Sequence, residues 1–215
     1  MPTHTITRTA PEPVAKKKKP KPEITEDGMK FDSMEELYFY WWAKDLQSVG
    51  LVTSITRGPM YYLADPVKIP VVNAKGKTVS KSIMREASYT PDFLLCWNVA
   101  HPALPMIGRN VFKNHREERQ ILLTSDWESV IEVKPLMAGR DGKGNAQKAI
   151  SQVYRKWTMQ RHKTFVQLVI IGNGPKSWFE ETFTPKRFLL TDKTLSRRKL
   201  NYTARSMAEW LKSLS

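Results

Sequence analysis

The tightest constraint on how this chain folds is the run Val130-Ile131-Glu132-Val133-Lys134-Pro135. Its β-branched, apolar composition reads as a strand covered on both faces. Yet an acid and an amine stand two positions apart within it, and side chains two apart on a strand leave the same face. An isolated buried carboxylate is costly, so it is paired, hydrogen-bonded or bound to a metal. A fold built on this strand therefore sets a polar site against a sheet.

The same problem recurs twice upstream. Asp92 follows Pro91 and opens the apolar run Phe93-Leu94-Leu95-Cys96-Trp97, a second strand. Glu36 lies in the first turn of a helix that runs from Ser33 through Leu37-Tyr38-Phe39-Tyr40-Trp41-Trp42 to about Gly50. Ser33 with Glu36 three positions on fits a capping box, and aromatic residues on nearly every face predict a buried helix. A Glu132–Lys134 pair alone is an ordinary salt bridge. Three carboxylates with one lysine leave excess negative charge, which a divalent cation offsets. Mg²⁺ suits such a set, since it takes one or two carboxylates together with waters and substrate phosphate.

Between these points the chain reads as short strands over Met60–Ala64, Val67–Val72 and Val79–Met84, the last two joined by an Ala-Lys-Gly-Lys turn. A looser stretch, 98–125, leads to the strand Trp127–Lys134. The loop Gly139–Asn145 lacks the Gly-Lys-Ser/Thr ending of a P-loop. A helix over about Ala146–His162 follows, then a strand over Phe165–Gly172 and a last helix near Ala204–Leu214. Ile150, Val153 and Trp157 share one face of the 146–162 helix and are expected on the sheet. Lys148, Gln152 and Arg155 share another. Trp178 and Tyr202 read as core residues. This order predicts a mixed α/β fold around a central sheet.

Charge and cysteine usage narrow the function. The formal net charge is +14 over 215 residues. Residues 1–28 hold six Lys/Arg against four Asp/Glu, 29–138 thirteen against twelve, and 139–215 sixteen against five. A cationic excess gathered in one third of the chain points to a polyanionic partner, nucleic acid before membrane. One cysteine, Cys96, excludes an internal disulfide, and four scattered histidines (His4, His101, His115, His162) offer no zinc spacing. The absence of a long apolar run and of an apolar leader predicts a soluble, intracellular protein.

Tyr89-Thr90-Pro91-Asp92 and Ile131-Glu132-Val133-Lys134-Pro135, preceded by Phe31-x-Ser33-x-x-Glu36, together resemble the signature of the PD-(D/E)XK nuclease superfamily. The likeness covers roughly residues 31–171. It is nearest to the phage junction-resolving endonucleases and to the endonuclease subunit of heteromeric cut-and-paste transposases. The resemblance implies a restriction-endonuclease-like fold, a central mixed β-sheet flanked by helices. It implies Asp92, Glu132 and the Val133 carbonyl as metal ligands, Lys134 as the catalytic lysine and Glu36 as a further catalytic acid, with Glu35 as its alternative. The cofactor implied is Mg²⁺, with Mn²⁺ substituting. The helix after the motif borders the active site in that superfamily, so Lys148, Gln152 and Arg155, with Arg140 and Lys143 of the glycine loop, become candidate DNA contacts. Forty positions separate Asp92 from Glu132, longer than the hairpin usual in these branches. The segment 98–125 is therefore expected as an insert, and Asp126 is the substitute acid if the register differs.

The expected organisation is a disordered basic arm over 1–28, a nuclease core over 29–175 and a basic C-terminal extension over 176–215 ending in a helix. The expected function is metal-dependent hydrolysis of DNA phosphodiesters, directed by DNA structure or by a partner. A homodimer or a companion recombination protein is the expected assembly, and the cytoplasm of a bacterial or phage-infected cell the expected setting. Two rivals stand beside it: a non-catalytic nucleic-acid-binding protein on a nuclease-like fold, and a packaging protein that binds nucleic acid through its arm.

Overall fold

The computed structural model describes residues 24–104, 127–136, 143–190 and 198–214, with the backbone alone for 143–148. A hairpin of β1 (Ile24–Glu26) and β2 (Met29–Phe31) leads into α1 (Met34–Ser48). The arm expected over 1–28 thus gives way at Ile24 to ordered structure, because Gly28 at φ +75° closes a tight turn between the two short strands. Residues 1–23, and the segment 105–126 with most of the expected insert and Asp126, lie outside the described residues.

The ends of α1 are set by local chemistry. The Ser33 hydroxyl accepts the Glu36 N–H at 3.2 Å, and Glu36 reaches back to the Ser33 hydroxyl and the Asp32 N–H, both at 3.2 Å. This reciprocal cap satisfies donors that a helix start leaves open. Gly50, at φ +75°, ends the helix: its N–H bonds Gln47 O while the Leu51 N–H bonds Leu46 O.

The central sheet has the order β10-β9-β8-β3, formed by β3 (Val52–Arg57), β8 (Phe93–Trp97), β9 (Glu128–Pro135) and β10 (Val166–Ile171). β3 and β9 run antiparallel to β8, and β10 runs parallel to β9. The parallel pair needs a crossover, which α2 (Lys143–His162) supplies. The sheet is thus mixed and flanked by helices. β4 (Tyr61–Ala64) pairs with β7 (Ala87–Tyr89) in a small second sheet, and between them β5 (Val67–Val72) and β6 (Thr78–Met84) form a two-stranded ribbon. Among the described residues after β10 are the short helices α3 (Trp178–Glu181), α4 (Lys186–Leu189) and α5 (Met207–Leu214). Among the described residues no helix is long and apolar enough to cross a membrane.

The period of two divides the strands between two cores. Phe93, Leu95, Ile131, Val133, Val169 and Ile171 face α1 in the larger core. Val130 and Val166, with Leu94 at the margin, join Leu63, Tyr89, Tyr154 and Trp157 on the opposite face. Trp42 is the hub of the first core. It stacks on Phe39 and Phe183, meets Trp178 edge-on, and donates its indole N–H to Thr182 Oγ1 at 3.1 Å. Trp178, Phe179, Phe183, Phe188 and Trp210 are all buried against α1, with Tyr202 packed beside them. The C-terminal stretch is therefore part of the main core and not an appended extension.

The inward face of α2 meets expectation at Trp157 and departs from it at Ile150 and Val153. Ile150 and Val153 are 57% and 60% exposed, while Thr158 is buried and Tyr154 and Trp157 pack on the second core. Tyr154 stacks on Tyr89 at 5.6 Å between ring centroids. Larger aromatic surface wins the interior position over the aliphatic pair, since it removes more apolar area from water.

Candidate active site

β8 stops at Phe93, which is opposite Ile131, so β9 continues past the end of its neighbour's ladder. The next backbone donor on that edge of β9 is the Val133 N–H, and Asp92 Oδ2 accepts it at 2.6 Å. The aspartate side chain thus stands in for a missing strand partner. In an extended strand the N–H and C=O of one residue leave by the same edge, so the Val133 carbonyl faces the Asp92 side.

Glu132 leaves β9 on the face of the second core and is buried, at 7% exposure. Lys134, two residues on, places Nζ 2.5 Å from Glu132 Oε1. The Tyr89 hydroxyl donates to Glu132 Oε2 at 2.9 Å. Both carboxylate oxygens are therefore engaged, one by an ammonium and one by a phenol whose own ionisation is pushed strongly upward by burial and by the Glu132 charge.

Asp92 carries the electrostatic signature of the site. Burial raises its pKa from the ordinary 3.8 to about 7, and the Glu132 and Glu36 charges add to the rise. The Val133 N–H and Lys134 act against it without cancelling it. Negative charge thus exceeds positive charge around Asp92, the condition a bound cation relieves.

Glu36 is buried at the start of α1, but its carboxylate is occupied. Arg57 Nη1 donates to Oε2 at 2.8 Å, and the cap hydrogen bonds hold the rest of the group. Arg57 ends β3 and lies over the rings of Phe31 and Phe93, at 4.7 and 4.8 Å from their centroids. Of the three acids, Asp92 and Glu132 thus stand together, and Glu36 is close enough to act on Asp92 through its field yet is tied to its own cation. Among the described residues no three His, Cys, Asp or Glu side chains form a metal cage. Glu35, the alternative acid, lines a separate cleft of about 150 Å³ with Pro135, Leu136 and Ile171.

No family model, curated protein or solved structure matches this chain.

Two carboxylates, a backbone carbonyl on their edge and an adjacent ammonium fit a hexacoordinate oxygen-seeking ion that keeps several waters. Of the candidate DNA contacts, Gln152 is exposed on α2. Arg155 is partly buried, donating Nε–H to Val166 O at 2.6 Å and lying over the Phe165 ring, and its charge acts on Tyr89. Arg140 and the side chains of Lys143 and Lys148 lie outside the described residues. Sequence reasoning missed Arg57 and Tyr89. Arg57 closes the β-branched run Val52-Thr53-Ser54-Ile55-Thr56, and a lone cation at the end of such a run, before Gly58, was the available signal. Tyr89 sits three residues before Asp92, in the stretch that also carries Pro91.

Proposed function

We propose that the protein is a metal-dependent DNA endonuclease with a restriction-endonuclease-like core. The observation that carries this reading is the meeting of Asp92, just before β8, with Glu132 and Lys134 of the neighbouring β9, with Asp92 pushed up to about 7 by burial and by the Glu132 charge. The resemblance of the Pro91-Asp92 and Glu132-Val133-Lys134 motifs to the PD-(D/E)XK nucleases and the cationic C-terminal third of the sequence support the same conclusion.

Asp92, Glu132 and the Val133 carbonyl would hold Mg²⁺ or Mn²⁺, which when bound supplies Lewis acidity toward a phosphate oxygen and the attacking water. Lys134 Nζ, fixed by Glu132 Oε1, orients that water and offers positive charge to the phosphate as it becomes pentacovalent. Tyr89 fixes the other Glu132 oxygen, so the carboxylate cannot rotate freely away from its lysine. Arg57 holds Glu36 and α1 in place behind Asp92, a positioning role. Cutting on this scheme gives a 5′-phosphate and a 3′-hydroxyl.

The test is supercoiled plasmid with Mg²⁺ or Mn²⁺. Nicking or linearisation is expected, abolished by chelator and reduced about 10²- to 10⁴-fold in Lys134→Ala. One observation favours a second reading, a non-catalytic nucleic-acid-binding protein: no cage of three acidic or imidazole side chains stands among the described residues. Binding of duplex, flap and four-way junction without cutting of any of them, with either metal, would decide for that reading.

A further inference from the structure

From Asp65 to Glu86 the chain leaves both cores. Every residue of this stretch is exposed except Val71 and Asn73, which are half-buried. β5 and β6 pair antiparallel from Val67↔Met84 to Val72↔Thr78 and extend from the β4–β7 sheet as a ribbon. An isolated two-stranded ribbon is at best marginally stable in water, and among the described residues no layer covers this one. Its tip is nevertheless well formed: Asn73 Oδ1 accepts the N–H groups of Lys75 and Lys77, and Gly76 takes φ +71° to close the turn.

Between Asp65 and Glu86 the ribbon carries Lys68, Lys75, Lys77, Lys81 and Arg85 and no acid. Among the described residues none of these cations has a carboxylate partner. Lysines on exposed strands also guard edges against aggregation, which accounts for Lys68 and Lys81. It does not account for Lys75 and Lys77, which sit in the turn where no ladder is open.

The ribbon's root ties it to the candidate site. β7 follows β6 directly and ends at Tyr89, whose hydroxyl holds Glu132, and Asp92 comes three residues later. Six residues of β5 reach roughly 20 Å from that root at about 3.3 Å per residue. That distance matches about six base-pair steps of duplex. A two-stranded ribbon is also an element that DNA grooves admit.

We infer that the β5–β6 ribbon is a DNA clamp, in which Lys68, Lys75, Lys77 and Lys81 contact the phosphates of duplex beside the reacting phosphodiester. Phosphate contacts carry no sequence information, so the clamp adds affinity without sequence preference. It deepens the nuclease reading, on which it rests for the choice of DNA as partner.

The experiment measures equilibrium binding of a 30-base-pair duplex to the full chain in chelator, so that no cutting is required, across a salt series. Quadruple substitution Lys68→Gln, Lys75→Gln, Lys77→Gln and Lys81→Gln should flatten the slope of log K against log salt by about 3–4, near 0.9 for each lost phosphate contact. The corresponding quadruple Lys→Arg variant should restore the slope. An unchanged slope in the Gln variant overturns the inference whether or not the wild type cuts DNA. So does a wild-type dimer that becomes a monomer in the Gln variant by light scattering, since the ribbon then serves self-association. A flattened slope in a protein that never cuts leaves the clamp standing and removes the nuclease reading instead.

Discussion

Replacing Asp92 by Asn should make the metal-free protein more stable at neutral and alkaline pH. The carboxyl ionises near 3.8 in the unfolded chain and near 7 in the fold. Between those values the folded state holds a proton that the unfolded state has lost. Stability therefore falls as pH rises through this window, and the penalty is complete once pH exceeds the folded value. About three pKa units at 1.36 kcal/mol each correspond to roughly 4 kcal/mol at full ionisation. Asn mimics the protonated carboxyl and still accepts the Val133 N–H through its carbonyl oxygen. Allowing for partial solvent access, Asp92→Asn should gain about 3 kcal/mol at pH 8 and only about 1 kcal/mol at pH 4.5. For a chain of this size that is a Tm increase of roughly 6–12 °C at pH 8. Urea denaturation in chelator at the two pH values, wild type against variant, reads the difference directly. A variant less stable than wild type at pH 8, or one with the same advantage at both pH values, would refute a raised Asp92 pKa in the fold. Added Mg²⁺ should raise the stability of wild type and not of the variant, because only the carboxylate gains from the cation.

Two further outcomes follow from the residues that surround this pair. Arg57→Ala leaves Glu36 buried without its cation and removes the guanidinium from two aromatic faces, so unfolding free energy should drop by about 3 kcal/mol, with Arg57→Lys recovering only part of it. Tyr89→Phe removes one charge-assisted hydrogen bond while keeping the ring on Tyr154; denaturation should report a loss of about 1–2 kcal/mol, and Mg²⁺ titration about 10-fold weaker binding.

Several elements were legible because their signals are local. The capping box of α1, the Gly76 turn and the alternation across β8 and β9 depend on neighbours within a few residues, and the structure forms them where the sequence places them. The proximity of Asp92 to Glu132 was legible as two charges that apolar strands had to accommodate. β3 was not, since Val52–Arg57 is rich in hydroxyl residues and carries little apolar signal, and its partner β8 lies some forty positions away. The engagement of Glu36 by Arg57 went unseen with it. The inward face of α2 was legible only at Trp157: Tyr154 takes the place beside it that Ile150 and Val153 were expected to fill, and only the landing point of the crossover decides between them. The aromatic residues after β10 sit in helices of four residues, too short for any periodicity to show that they complete the core.

The bond from the Val133 N–H to Asp92 gives the protein a natural gauge of its own chemistry. A single amide proton is sheltered by the same carboxylate that would receive an ion, a proton or neither. Its exchange with solvent is thus coupled to the state of that carboxylate, and one backbone resonance reports from inside the sheet what Asp92 is holding.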